Sequence, residues 1–297
     1  MPKLPEYYGI KKGYPRLQKY FGKLAAYVQL LRVFTLIAPL VAGVIGVLVP
    51  LREISFSNIE TAVYIGITLA LTQATGQCLN AYADSELDKQ IKPYRPIPSG
   101  LVTREEALGL SWLLAIFAVG RAFTIGVFFG LMVLVLLFFA VFYSLAPFSP
   151  RKVDPMLNTA WMAVSRGFIP VYAVWSIYGD PAMGMRYAVL ALLWVMGFQA
   201  SKDIDDVEGD RRFGIKTIPN VYGMRGLIFT MGVCTAVYTA VAAYFGLYPM
   251  LLILPLAAVA MLTTDKKSGL TENSYSWTCF YLGLATIYIL MFVSSRL

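Results

Sequence analysis

Residues 226–264, GLIFTMGVCTAVYTAVAAYFGLYPMLLILPLAAVAMLTT, run for 39 positions without a charged side chain. A helix that crosses a bilayer needs roughly 20 predominantly apolar residues. The stretch is therefore long enough for two, and Gly246-Leu-Tyr-Pro249 in its middle has the residues of a separating turn. Further charge-free runs occupy 33–51, 61–83, 107–120, 122–150, 155–165, 167–179, 187–201 and 273–295. The whole chain is 58% hydrophobic and 14% charged, with mean hydropathy +0.64, whereas a soluble chain carries about a quarter charged residues. Soluble, collagenous and disordered classes are excluded. Cys78, Cys234 and Cys279 lie in apolar sequence without metal or disulfide spacing and read as buried, inert thiols. Histidine is absent, which removes the commonest metal ligand and near-neutral base and leaves carboxylates to carry chemistry.

The pair of runs on either side of Arg166 reads as one helix with a single internal charge. The result is an all-α, polytopic membrane protein of nine transmembrane helices around a central cavity, near 28–50, 58–84, 103–121, 123–146, 156–178, 183–204, 218–245, 248–264 and 273–295. It forms a single membrane-embedded domain, 1–297, with motif loops at about 85–103 and 205–217. No cleavable signal peptide is read in the first 32 residues. Lys11, Lys12, Arg16, Lys19 and Lys23 among Tyr, Phe and Leu suggest an amphipathic arm, 1–27, on the membrane surface. With nine spans, 20 Lys and Arg fall on the N-terminal side against four, Arg52, Arg121, Arg186 and Arg296, on the other. Positive charge marks the cytoplasmic side, so the N-terminus is expected there. The net charge of +8 is thus a signal of topology and lipid contact. No nucleic-acid partner is implied, since that would need a soluble basic face.

Of 17 acidic residues, eight fall in two short clusters: Asp84, Glu86 and Asp88, then Asp203, Asp205, Asp206, Glu208 and Asp210. Each cluster ends a hydrophobic helix on the expected cytoplasmic side. Asn80, Asp84 and Asp88 stand at i, i+4, i+8, and Asp203, Asp206 and Asp210 at i, i+3, i+7, so each trio shares a helical face. Glu86 and Asp205 point off those faces. Carboxylates stacked beside a bilayer repel one another and resist desolvation; a divalent cation offsets both. Oxygen donors without Cys or His favour Mg²⁺, which keeps waters and completes its shell with phosphate oxygens. Two such faces would clamp a diphosphate through two Mg²⁺ ions held by Asn80, Asp84, Asp88, Asp203, Asp206 and Asp210. Lys92-Pro-Tyr-Arg95-Pro-Ile-Pro-Ser-Gly100 follows the first cluster and Arg211-Arg-Phe-Gly-Ile-Lys216-Thr the second, placing Lys92, Arg95 and Lys216 over the phosphates. The second DxxxD pair repeats the first at an offset of 122 residues, with Gly76 and Ile97-Pro98 echoed by Gly197 and Ile218-Pro219, suggesting a duplicated half. On this reading Asp84→Ala or Asp206→Ala abolishes turnover and, by relieving repulsion, raises metal-free stability.

Asn80-x-x-x-Asp84-x-x-x-Asp88 followed by Arg95-Pro-Ile-Pro-Ser-Gly resembles the first signature of the UbiA superfamily of intramembrane prenyltransferases. Asp206-x-x-x-Asp210-x-x-x-Gly214-Ile-Lys-Thr is similar to its second. The resemblance implies Mg²⁺-dependent transfer of a prenyl group from an allylic prenyl diphosphate to a hydrophobic, membrane-associated acceptor, with release of diphosphate. Asp84, Asp88, Asp206 and Asp210 are then catalytic. Tyr143, Ser144 and Lys152 match groups that contact the diphosphate in the family, as do Arg32 at the first helix and Asn80, Lys92, Arg95 and Lys216 in the signatures. Arg151 and Arg211 are expected to matter less. Lys92 stands where the family often has arginine, which keeps the charge and loses a bidentate fork. The proline-rich 143–152 stretch and Arg166-Gly167 look more like the branch acting on chlorophyllide or homogentisate. The acceptor stays open between an aromatic quinone or pigment precursor and a prenylglyceryl phosphate. Arg166, about ten residues beyond Met156 and so roughly 15 Å along its helix, is placed to meet an acceptor's polar group or to serve as a structural ion pair. A transporter is the rival class, since intramembrane charge and repeated halves suit transporters too; its acidic residues would be expected at the midplane.

Overall fold

A computed structural model describes residues 22–145, 149–265 and 275–295, and these form helices without a strand. Lys11, Lys12, Arg16, Lys19 and Arg296 lie outside the described residues. The chain runs α1 (Lys23–Leu31), α2 (Ile37–Leu51), α3 (Phe56–Ala83), α4 (Ser85–Ile91), α5 (Arg104–Ile125), α6 (Val127–Ser144), α7 (Pro155–Ala163), α8 (Ile169–Tyr178), α9 (Pro181–Phe198), α10 (Val207–Arg212), α11 (Ile218–Tyr244), α12 (Leu254–Leu262) and α13 (Tyr275–Ser294). Among the described residues six segments are long and apolar enough to cross a membrane: Val33–Leu51, Arg104–Ile125, Val127–Ser144, Pro181–Asp203, Ile218–Tyr244 and Tyr275–Ser294. α3 has the length too, but Thr68, Thr72, Gln73, Thr75, Gln77 and Asn80 lower its hydropathy. Leu69, Thr72, Gln73, Gly76, Gln77 and Asn80 are where α3 meets the internal cavity, so its polar content serves the interior.

Four segments differ from the expected helices. The first is broken at Arg32, whose φ of 49° is left-handed, and resumes through a 3₁₀ stretch, Val33–Leu36. A non-glycine residue in that region costs of order 1–3 kcal/mol and persists only where its surroundings impose it; here the Arg32 carbonyl accepts from both the backbone and the hydroxyl of Thr35. The third helix runs on through Arg121 to Ile125, and the break falls at Gly126 instead. Arg121 is tolerated because its guanidinium donates to the Tyr64 carbonyl and the Thr68 hydroxyl and lies 3.7 Å from the Tyr64 ring. The helix expected at 156–178 carries a π segment, Val164–Phe168, around Arg166. The one expected at 248–264 starts as a 3₁₀ stretch, Tyr248–Ile253, before α12.

Burial organises around three apolar clusters. The largest joins α9, α11 and α13 through Tyr187, Trp194, Phe198, Phe280 and Tyr288. A second joins α2, α3, α5 and α6 around Phe129. A third seats Ala26 and Leu30 of α1 against Cys78, Ile97 and Val102, so the chain is already part of the bundle from α1 onward. All three cysteines are buried, as read. Between the clusters lies a cavity of about 680 Å³ that reaches from the two acidic turns to Tyr288 of α13.

Candidate active site

The first acidic turn is a helix that bends without losing register. α3 ends at Ala83 and Asp84 caps it, yet the backbone N–H of Asp84 still bonds to Asn80, that of Asp88 to Asp84 and that of Lys92 to Asp88, at 2.8–2.9 Å. These three bonds, each four residues back, keep side chains four apart on one face through the bend, and Asn80, Asp84, Asp88 and Lys92 all line the cavity. The second turn reaches the same end with mixed spacing. Gln199–Asp203 is a 3₁₀ stretch, so Asp206 N–H bonds to Asp203 three residues back, and Asp210 N–H then bonds to Asp206 four back. That change of period explains the i, i+3, i+7 pattern. The turns meet where a Cβ on Gly209 would fall 2.2 Å from Ile91 Cδ1, so a side chain there would displace the Ile91 side chain from between α10 and α4.

Across this junction four of the five carboxylates have a cationic partner. Arg151 grips Asp84 with both terminal nitrogens, one at 2.7 Å, and Asn80 Nδ2 donates to the same carboxylate at 2.7 Å. Arg95 Nη1 bonds both oxygens of Asp88 at 2.7 and 2.8 Å. Lys92 Nζ crosses between the turns to Asp206 Oδ2 at 2.7 Å. Lys202 sits 3.2 Å from Asp203 and donates to the Tyr143 hydroxyl at 3.3 Å. Asp210 is 6% exposed and forms no ion pair with a described residue. Burial works to raise the Asp84 carboxyl, but the charge and hydrogen bonds of Arg151, followed by Arg32 and Arg95, hold it below the usual range. Asp206 is likewise held down by Lys92 and Arg95 against its burial. Asp210 goes the other way: burial first, then Asp203 and Asp206, push it up to about 8.

The structure gathers Arg32, Asn80, Asp84, Asp88, Lys92, Arg95, Tyr143, Arg166, Asp203, Asp206 and Asp210 on one cavity. It leaves Ser144, Lys152 and Lys216 off it. Ser144 is buried without a hydrogen-bond partner for its hydroxyl among the described residues. Lys152 is exposed. Lys216 turns its ammonium to the Val153 carbonyl at 2.9 Å. Glu86 and Asp205 are exposed as expected, Glu86 beside Lys89. Two further cations line the cavity: Arg151, which the sequence ranked below Lys152, and Lys202, which it did not single out. Arg151 is the inward member of the Arg-Lys pair because Pro150–Val153 is a single turn, and the Lys216 N–H bonds to the Arg151 carbonyl at 2.6 Å. Lys202 shares its face with Asp206 at i, i+4, a signal that was available.

The donor set is oxygen-only. Among the described residues no three carboxylates converge tightly enough to chelate an ion unaided. A hard cation that retains waters and takes phosphate oxygens suits such a set, whereas a preformed all-protein cage is excluded.

Residues 36–295 match the UbiA prenyltransferase family. A digeranylgeranylglyceryl phosphate synthase of Thermococcus kodakarensis is 30% identical over 229 residues, 76% of this chain and 79% of its own length. The synthase of that name from Thermococcus gammatolerans is 29% identical over 238 residues, 76% of this chain and 84% of its own. A UbiA homolog from Archaeoglobus fulgidus solved with GPP and Mg²⁺ superimposes with a TM-score of 0.69 at 20% identity, over 92% of this chain and 100% of that one. The apo structure of a UbiA homolog from Aeropyrum pernix K1 gives 0.65 at 20% identity, over 88% and 96%. At these identities the structural likeness is one of fold.

Proposed function

The chain belongs to the UbiA prenyltransferase family, and on that premise we propose that it transfers the prenyl group of an allylic prenyl diphosphate to the hydroxyl of a prenylglyceryl phosphate, in a Mg²⁺-dependent reaction that releases diphosphate. The observation that carries this is the pair of carboxylate turns, interleaved with Lys92, Arg95, Arg151 and Lys202, on a cavity whose remaining lining is mainly apolar and aromatic, with Gln73, Gln77 and Arg166 among it. The names of the Thermococcus relatives support the acceptor.

Asn80, Asp84, Asp88, Asp203, Asp206 and Asp210 are the groups that would hold Mg²⁺. When bound, the metal supplies Lewis-acid neutralisation of charge on the departing diphosphate. The four ion pairs match this ligand in sign: each carboxylate suits the metal and each cation suits a phosphate oxygen. Arg95 and Arg151 bring planar forks that fit phosphate geometry, while Lys92 and Lys202 act as point charges. Together they bind and orient the head group so that the C1–O bond breaks with its electron pair moving to diphosphate. The acceptor oxygen forms the new bond to C1, and its proton passes to the departing diphosphate. Phe139, Tyr143, Phe280, Tyr281 and Tyr288 line the path of the prenyl chain, exclude water and face the developing allylic cation with their rings.

We place the acidic turns on the cytoplasmic side of the cell membrane, because the Lys and Arg asymmetry favours that side. In this topology α3, the α7–α8 segment and the Tyr248–Leu262 segment also cross, making nine spans. The test is purified protein in detergent with Mg²⁺, labelled prenyl diphosphate and three acceptors: a prenylglyceryl phosphate, an aromatic quinone precursor and a carboxylate-bearing pigment precursor. Product with the first is expected. Product with an aromatic or pigment acceptor alone overturns the acceptor assignment, and no product with any of them overturns the reaction.

A further inference from the structure

We propose that Arg166 is the specificity-determining residue for the acceptor, binding its anionic phosphate deeper in the cavity than the diphosphate site; this rests on the reaction proposed above. Arg166 is the single charged residue of the Pro155–Tyr178 segment, where an arginine is costly unless paired or turned inward. Its backbone is placed by a local defect. The N–H of Ile169 bonds to the carbonyl of Val164, five residues back, so the helix widens to π geometry over Val164–Phe168. Single π turns of this kind recur at functional sites. On the far side of the widened turn a Cβ at Gly167 would come within 2.7 Å of the Ala191 carbonyl oxygen, so the backbone lies flush on α9 and Ser165 and Arg166 face the cavity.

Arg166 differs from the other cations of the lining. Asp84, Asp88, Asp203 and Asp206 are taken by Arg151, Arg95, Lys202 and Lys92. Arg166 makes no hydrogen bond or ion pair with a described residue. The groups that face it electrostatically are Tyr281, Tyr143, Arg32 and Asp203. It therefore stands between the charged end and the apolar length of the cavity. Six cations and five carboxylates line this space, so it carries a net positive charge to be matched by anionic ligands. A diphosphate is one; a second anion fits beside Arg166. Gln73 of α3 lines the same cavity, 11 residues before Asp84, while Arg166 lies 11 residues after Pro155. At 1.5 Å per residue both backbone positions are about 16 Å along their helices from these reference residues, and from there the Arg166 guanidinium faces Asp203 and Tyr143. An acceptor held by its phosphate at this level has its hydrocarbon in the apolar cavity and its glycerol hydroxyl directed back towards the reacting carbon.

The experiment compares a prenylglyceryl phosphate with its neutral, dephosphorylated analogue in wild type, R166Q and R166K, measuring acceptor KM and the Kd for prenyl diphosphate by calorimetry. Wild type is expected to have a KM at least tenfold lower for the phosphorylated acceptor. R166Q should erase that difference by raising the phosphate-acceptor KM alone, with prenyl diphosphate Kd within twofold of wild type, and R166K should restore part of it. Equal rises in both acceptor KM values, or weakened prenyl diphosphate binding with the acceptor preference kept, overturns the inference. Should R166Q fail to fold, the wild-type comparison decides, because equal KM for the two acceptors overturns it directly. A wild type that prenylates neither acceptor sinks the proposed reaction itself, a result that no Arg166 variant is needed to obtain.

Discussion

The two acidic turns share a DxxxD spacing and a place on the same cavity, yet they solve their electrostatics differently. In the first, Asp84 and Asp88 each bond an arginine, and Asn80 adds a neutral donor to Asp84. In the second, Asp206 and Asp203 have lysines, and Asp210 has no ion pair among the described residues. Arginine offers a rigid fork that is weakly hydrated, whereas lysine offers a mobile point charge. The first turn is thus a neutralised, fixed receptor, and the second keeps one carboxyl, that of Asp210, with no cation of its own among the described residues. A repeated motif in sequence need not be an electrical repeat. The difference also says where an added cation contributes most, which is beside Asp210.

The largest effect should come from breaking the first turn. Asp84→Ala removes a proposed metal ligand and leaves Arg151 buried with nothing to pair. Turnover should fall below detection in a detergent assay. Removing one partner of a buried ion pair costs about 3–5 kcal/mol, so thermal unfolding should shift down by several degrees. This reverses the expectation that relief of repulsion would raise stability, because Arg151 more than compensates the Asp84 charge. A variant with a higher Tm than wild type would break the contrast between the turns.

Next in size is Arg151 against Lys152. Arg151→Ala should weaken prenyl diphosphate binding by about 1.5–3 kcal/mol, the range for charged hydrogen bonds, and destabilise the fold. Lys152→Ala, exposed beside it, should stay within about 0.5 kcal/mol of wild type in stability, with unchanged affinity by calorimetry. Equal losses in the two would mean that the turn at Pro150–Val153 does not select which cation faces inward.

This pair also shows what the sequence could and could not reveal. Charge-free runs find helices because lipid tolerates few charges, and helical spacing finds carboxylate faces because side-chain direction follows backbone period. Both rules are local, and the second agrees with the structure in that Asn80, Asp84, Asp88 and the Asp203 trio line one cavity. Arg151 and Lys152 are adjacent in a one-turn helix, and which faces inward is fixed by partners distant in sequence, Asp84 at the Arg151 guanidinium and the Lys216 N–H, 65 residues on, at the Arg151 carbonyl. Arg121 was read as a helix end for the same reason. A charge looks like a boundary until Tyr64 and Thr68, on another helix, are seen to satisfy it. Polar residues on α3 lowered its hydropathy because they serve a cavity that no single segment encodes.

Asp210→Asn sharpens the comparison from the second turn, with a smaller effect on stability and of opposite sign to Asp84→Ala. Asp210 is pushed up to about 8, against about 3.9 in an unfolded chain. Between these values the folded state binds a proton that the unfolded state has released, so stability falls as pH rises through this window and levels off above it. Asn mimics the protonated form at every pH. In EDTA the variant should therefore melt a few degrees above wild type at pH 8.5 and close to it near pH 4, by differential scanning calorimetry. Mg²⁺ should raise the Tm of wild type more than that of the variant. A gain independent of pH would show that the Asp210 charge is not its source.

The smallest effect is expected at Lys216, where side chain and backbone do different work. Its ammonium reaches the Val153 carbonyl at 2.9 Å on the exposed side of the loop. Its backbone N–H, by contrast, donates to the Arg151 carbonyl at 2.6 Å, and its own carbonyl accepts from Asn158 Nδ2 at 3.2 Å. Lys216→Ala keeps both backbone bonds and loses only an exposed contact, so stability and prenyl diphosphate Kd should change by less than about 0.5 kcal/mol. Lys216→Pro removes the N–H that fixes the Arg151 turn, and should weaken prenyl diphosphate binding in the same direction as Arg151→Ala. If the alanine variant instead matches Arg151→Ala in affinity, the Lys216 ammonium reaches the diphosphate after all, and the loop must move inward to bring it there. If alanine is silent and proline is not, the second motif contributes to head-group binding through the backbone that holds Arg151 against Asp84, with the lysine charge left to the membrane surface.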